Sequence, residues 1–159
     1  LLINFSMFMT KVVIDTSIGY HANIPDTIDM RVSSGPDDFL PGPERKETVR
    51  RQTGNSLMLE GGFRYLISHP MCVGAYYDFT QKDPDWYGGD KGWNYGRLST
   101  DTGSTTHQIK ATVEFSTTNW YSMKTFAIPF QFGFVYGNTF RAINAANQIS
   151  NQVYLRMFF

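Results

Sequence analysis

Phe126-Ala127-Ile128-Pro129-Phe130-Gln131-Phe132-Gly133-Phe134-Val135-Tyr136 sets large apolar side chains at every even position and carries no charge. A helix would scatter those six residues around its circumference, whereas a strand sends alternate residues to opposite faces. The run therefore reads as a β-strand with one wholly apolar face. Pro129 has no N–H to give to a ladder, so it predicts an edge or a bulge at that point.

The same period recurs along the chain. Residues 1–9 put Leu1, Ile3, Phe5, Met7 and Met9 on one side, with Asn4 and Ser6 on the other. After a tight turn at Thr10-Lys11, residues 12–21 oppose Val12, Ile14, Thr16, Ile18 and Tyr20 to Val13, Asp15, Ser17, Gly19 and His21. Residues 56–65 and 73–80 repeat the pattern on either side of a Ser68-His69-Pro70 turn, residues 108–116 repeat it again, and residues 152–159 close the series. About seven strands are expected.

Three long connections separate them: 22–55, with Pro25, Pro36, Pro41 and Pro43; 81–105, rich in Gly, Asp and aromatics; and 137–150. Within the first, residues 27–32 alternate and are expected to extend a hairpin. The other connections are short, at Thr10-Lys11, 68–70 and 117–124.

Composition agrees with an all-β chain. Aromatic residues make up 16 %, with 13 Phe and 9 Tyr, and aromatics favour strands. Charges balance at 14 Lys+Arg against 14 Asp+Glu, which leaves no basic footprint for nucleic acid. Cys72 is the single cysteine, so an internal disulfide and a cysteine metal cluster are both excluded. A mean hydropathy of −0.30 and the lack of a helix-length apolar run exclude a transmembrane helix. They leave open a membrane barrel, whose strands alternate.

Alternation alone does not choose between a soluble and a membrane sheet. The strict short-long alternation of the connections favours the membrane, because barrels there turn tightly on one side and loop widely on the other. Aromatics at the strand ends add two belts: Tyr20, Phe79 and Tyr136 beside the long loops, and Tyr65, Phe115, Trp120, Tyr121 and Phe126 beside the short turns. The expected fold is an antiparallel up-and-down transmembrane β-barrel over residues 1–159. Seven is odd and single-chain bacterial barrels are even, so the residues are expected to form the C-terminal portion of a larger barrel; a small eight-stranded barrel with one strand lost or miscounted is the second option.

The final segment, Gln152-Val153-Tyr154-Leu155-Arg156-Met157-Phe158-Phe159, resembles the last strand of bacterial outer-membrane β-barrel proteins, which ends on an aromatic residue. That resemblance implies an assembly signal at Val153, Leu155, Met157 and Phe159, read by the barrel-assembly machinery. It also implies residence in the Gram-negative outer membrane, against lipid and lipopolysaccharide. Ile128 to Tyr136 and the terminal strand are similar to the end of hydrophobic-substrate transporters of the long-chain fatty-acid type. The expected function is then a porin-like channel or transporter for small, including hydrophobic, solutes. The alternative is a structural barrel that anchors a partner protein, with further strands or subunits completing it.

On the expected inward face stand Asp15, Glu60, Arg64, Asp78, Lys110, Glu114 and Arg156. They would either set the field along a path, as charged pore rings do, or pair across a narrow interior. His21, with Asp15 or His107, is the one pairing a rim hydrolase would use; no nucleophile motif accompanies it, and no enzyme or cofactor is expected. Asp83, Asp85 and Asp90 in the second loop lack the spacing of a calcium loop, so a self-packed tip is expected there.

Overall fold

The structure, a computed structural model, describes residues 1–33, 38 and 41–158. Pro36 and the terminal Phe159, on which part of the expected assembly signal rests, lie outside the described residues.

The chain is all-β and antiparallel. Its strands are β1 (Leu2–Phe8), β2 (Val12–His21), β3 (Asp26–Arg31), β4 (Lys46–Gln52), β5 (Ser56–Ser68), β6 (Met71–Lys82), β7 (Trp86–Gly88), β8 (Ser104–Ser116), β9 (Phe130–Ile143) and β10 (Ile149–Met157), with one short helix, α1 (Thr118–Ser122). Seven of them form one meander in the order β1-β2-β5-β6-β8-β9-β10, and β3-β4-β7 form a second, smaller sheet. In the meander, strands that follow one another pair with one another. The sheet is open, because β1 and β10 are its two edges and do not pair with each other.

The tight turns fall where the sequence puts them. Met9 donates its backbone N–H to the Val12 carbonyl at 2.8 Å around Thr10-Lys11, and Ser68 faces Met71 across His69-Pro70. A meander returns to the same end every second turn, so the 22–55, 83–103 and 144–148 connections share one end of the sheet.

Four expectations change. The third long loop is a strand for most of its length: β9 continues to Ile143, β10 starts at Ile149, and five residues join them. Asn138, Thr139 and Arg141 look like loop residues, yet they keep the ladder, and Asn144 at φ 51° makes the turn, as asparagine tolerates the left-handed region. Strand β9 begins only after Pro129, so Phe126 and Ile128 belong to the α1 connection. Thr117, 1 % exposed, ties that connection shut: its hydroxyl donates to the Ile128 carbonyl and accepts from the Phe130 N–H, each at 2.9 Å.

The two remaining changes concern the first two long loops, both of which contribute strands. Rather than extending a hairpin of the main sheet, β3 pairs with β4, and β4 takes β7 of the other loop as its second neighbour. The resulting cap has its own small core, with Val32 and Val49 fully buried.

Candidate functional site: the polar face and the cap

Every strand of the meander has one dry and one wet face. On the dry face, Phe63, Ile109, Phe132 and Leu155 are all half exposed, and nothing among the described residues covers them. Charge is confined to its loop end, where Arg141 faces His107. The seven residues expected to face inward all lie on the other side. A groove of about 550 Å³ runs along it, with Asn4 and Ser6 of β1 on one flank and Gln152 and Tyr154 of β10 on the other. Contributions from both edge strands to one groove mean that the sheet is strongly curled.

The polar face is cross-linked by its own groups. Asp15 accepts from the Arg64 guanidinium at 3.0 Å and from the Ser6 hydroxyl at 2.8 Å, which ties β1, β2 and β5 together. Glu60 and Asp78 stand directly opposite on β5 and β6, a placement that like charges oppose. Lys110 of β8 offsets it, making an ion pair with Asp78 and lying 3.7 Å from Glu60. Asp78 Oδ1 is buried and has no hydrogen-bond partner among the described residues. Glu114 accepts from the Tyr154 hydroxyl at 2.8 Å. Arg156 sits over the Tyr154 ring, 4.9 Å from its centre, and makes no ion pair among the described residues.

Tyr154 and Tyr76 were not singled out by sequence. The signal was available in their partners: Tyr154 faces Gly133 and Tyr76 faces Gly62 in register. A Cβ at either glycine would come within 2.3 Å of the tyrosine ring, so the missing side chain is what lets each ring lie flat on the sheet.

Aromatic clusters mark both ends of the dry face. At the loop end, Tyr77, Phe79, His107 and Phe140 gather with ring centres 5.1–6.5 Å apart. At the turn end, Phe115, Trp120, Phe126 and Phe130 do the same at 5.9–6.3 Å. Phe130 and Phe140 are ten residues apart on one strand, about 33 Å along it at the usual rise.

The structure does not bring His21 to Asp15 or to His107. His107 lies on the dry face with its Nδ1 2.7 Å from the Tyr77 hydroxyl. His21 points to the wet face six residues from Asp15, about 20 Å along the strand.

In the cap, Glu47 is buried and fully used. Its carboxylate accepts from the backbone N–H groups of Asp90 (2.8 Å) and Lys91 (3.1 Å) and from the Tyr95 hydroxyl (2.6 Å). Burial works against its charge, but these donors outweigh it and hold the carboxyl below its ordinary range. Lys91 and Arg45 stack on Trp93. Asp85 is taken by Lys82 (2.6 Å) and by the Gly54 N–H (2.7 Å). No group of three metal-ligating side chains occurs among the described residues, and the second loop, expected to be a self-packed tip, packs instead on the first loop through the β4–β7 pairing and the Glu47 contacts.

No family model, curated protein or solved structure matches this chain.

Proposed function

We propose that the chain forms the wall of a transmembrane β-barrel of the bacterial outer-membrane type, and that its polar face lines an interior through which small solutes pass. The observation that carries the reading is the division of one sheet into two faces. All seven inward candidates share the wet face, while the dry face is apolar, exposed and free of charge between its aromatic clusters. A soluble sheet would bury such a face under another layer. Hydrocarbon needs no such layer, and at the strand tilt of membrane barrels, near 40°, the roughly 33 Å from Phe130 to Phe140 becomes about 25 Å of height, which fits the aromatic girdles of that environment. A groove lined by Asp15, Glu60, Arg64 and Lys110 favours hydrated, polar solutes over apolar ones.

The second reading, a barrel that is closed inside and displays its cap to a partner, is favoured by the internal pairing of Asp15 with Arg64 and Asp78 with Lys110. Interiors of about eight strands are narrow enough for side chains to fill.

Planar-bilayer conductance of the purified protein separates the two. In the open case Arg64→Ala and Glu114→Ala shift cation-to-anion selectivity in opposite directions, because each removes one sign of wall charge. Absence of conductance in the parent protein and in both variants, with loss of stability in each, contradicts the channel and leaves the display role.

A further inference from the structure

The two sheet edges run the same way. In a seven-stranded antiparallel meander the first and seventh strands are separated by six reversals, so β1 and β10 are parallel to each other. Direct closure of the sheet would therefore need a parallel seam. A second copy does not remove the difficulty: inserted in the same sense, its edges also run parallel to both edges of the first. Only an odd number of intervening strands gives an antiparallel seam on both sides.

The flanks of the groove limit that number. Asn4 and Ser6 on β1 share one groove of about 550 Å³ with Gln152 and Tyr154 on β10, so the edges approach each other closely across the interior. Every residue of β1 is exposed, and so are most of β10, including inward Gln152 and Arg156. By contrast, the inward residues of β6 are shielded from Cys72 to Thr80. Arg156 is also the one member of the inward charged set with neither an ion pair nor a hydrogen bond among the described residues.

Resting on the membrane-barrel reading, we infer that one further strand lies between β1 and β10, antiparallel to both, apolar outward and carrying a carboxylate inward against Arg156. The closed sheet then has eight strands, the size at which side chains can fill the interior, so the inference rests on the membrane-barrel part of the reading and not on an open path. The strand is recognised by backbone pairing along both edges, with alternation setting its register and Arg156 selecting an acid at one inward position.

The test uses the full-length protein folded in phosphatidylcholine bilayers, with Cys72→Ser in every variant. Cysteine pairs join each of positions 3, 5 and 7 to each of 153, 155 and 157. An intervening strand holds β1 and β10 about 10 Å apart, beyond the reach of a disulfide, so none of the nine pairs oxidises. The control Phe5→Cys with Thr16→Cys, directly opposed on β1 and β2, does. Amide exchange then separates a filled seam from an open one: all amides of β1 resist exchange when it has two neighbours, and about half when it has only β2. Any disulfide among the nine pairs, or half-protection of β1, overturns the inference. In Arg156→Lys, carbodiimide joins the new amine to the facing acid, and mass spectrometry identifies the peptide. A linked peptide from outside these 159 residues is expected, and coupling to Glu114 alone or to nothing contradicts the inward carboxylate. Quenching by brominated lipid of a Phe132→Trp variant checks the parent reading by itself. Quenching with a β1–β10 disulfide overturns the eighth strand only, and no quenching overturns the membrane reading beneath it.

Discussion

Lys110 does the most for the polar face of any single residue. It stands beside two carboxylates that the β5–β6 register sets opposite each other, Glu60 and Asp78. Lys110→Met leaves them opposed with no cation between them. The groups are partly exposed, so the cost falls between that of a surface pair and a buried one, about 1–3 kcal/mol. It is read as a lower unfolding midpoint in urea, and Glu60→Gln in the same background is expected to recover part of it. Recovery by neither Glu60→Gln nor Asp78→Asn contradicts the like-charge account. The membership of this cluster was legible in the sequence, since period two assigns each residue to a face without knowledge of register. Its pairing was not. Glu114 and Arg156 stood as candidates for ion pairs, and the structure gives Glu114 a tyrosine hydroxyl and Arg156 a ring face, because register fixes which inward groups meet.

At the scale of elements, β9 offers the cleanest comparison of the two faces. Phe132 and Gln131 are adjacent and point opposite ways. Phe132→Arg puts a cation on the dry face two residues inside the turn-end aromatic cluster, where it is expected to cost about 1–3 kcal/mol of folding stability in bilayers. Gln131→Arg faces the interior and costs much less; equal effects, measured by reversible unfolding from lipid vesicles, contradict the face assignment. Strand β9 was also misjudged in length. The sequence marks its core through apolar alternation, and Asn138 to Arg141 lack that mark because Asn138 and Thr139 are polar and Arg141 is charged, while all three still keep the ladder.

The cap was the least legible element, for a related reason. Lys46-Glu47-Thr48-Val49-Arg50-Arg51-Gln52 has one apolar residue in seven, and its neighbour β7 is three residues long and comes from a different loop. Long-range pairing of short polar strands leaves almost no periodic trace. Its stability nevertheless carries a pH signature. The carboxyls of Glu47 and Asp85 are both lowered: burial opposes their charge, but Tyr95 and backbone N–H groups at Glu47, and Lys82 and the Gly54 N–H at Asp85, overcome it. Groups lowered in the folded state stabilise fully above their ordinary values, 4.5 and 3.8, and lose that contribution as pH falls through the lower folded ones. Fluorescence of Trp86 and Trp93, in a Trp120→Phe background, is therefore expected to stay constant from pH 7 to about 5 and to report loosening below about 4. Glu47→Gln removes part of that transition. A transition centred near neutral pH contradicts the assignment to carboxylates.

At the scale of the whole molecule, one sheet carries two unlike faces. Its wet face is tied across β1, β2, β5, β6 and β8 by ion pairs and hydrogen bonds, and the cap joins both long loops at the same end. The dry face has no partner among the described residues, and the central claim is that lipid hydrocarbon is its partner. Spin labels placed singly at 131, 132, 134 and 135, with Cys72→Ser, measure that contact directly through collision with oxygen, which concentrates in hydrocarbon, and with a water-soluble nickel chelate. In phosphatidylcholine bilayers, labels at 132 and 134 are predicted to collide freely with oxygen and hardly at all with the chelate, while those at 131 and 135 are shielded from lipid. Free chelate access at 132 and 134, or no alternation along the four positions, would contradict a membrane-spanning sheet.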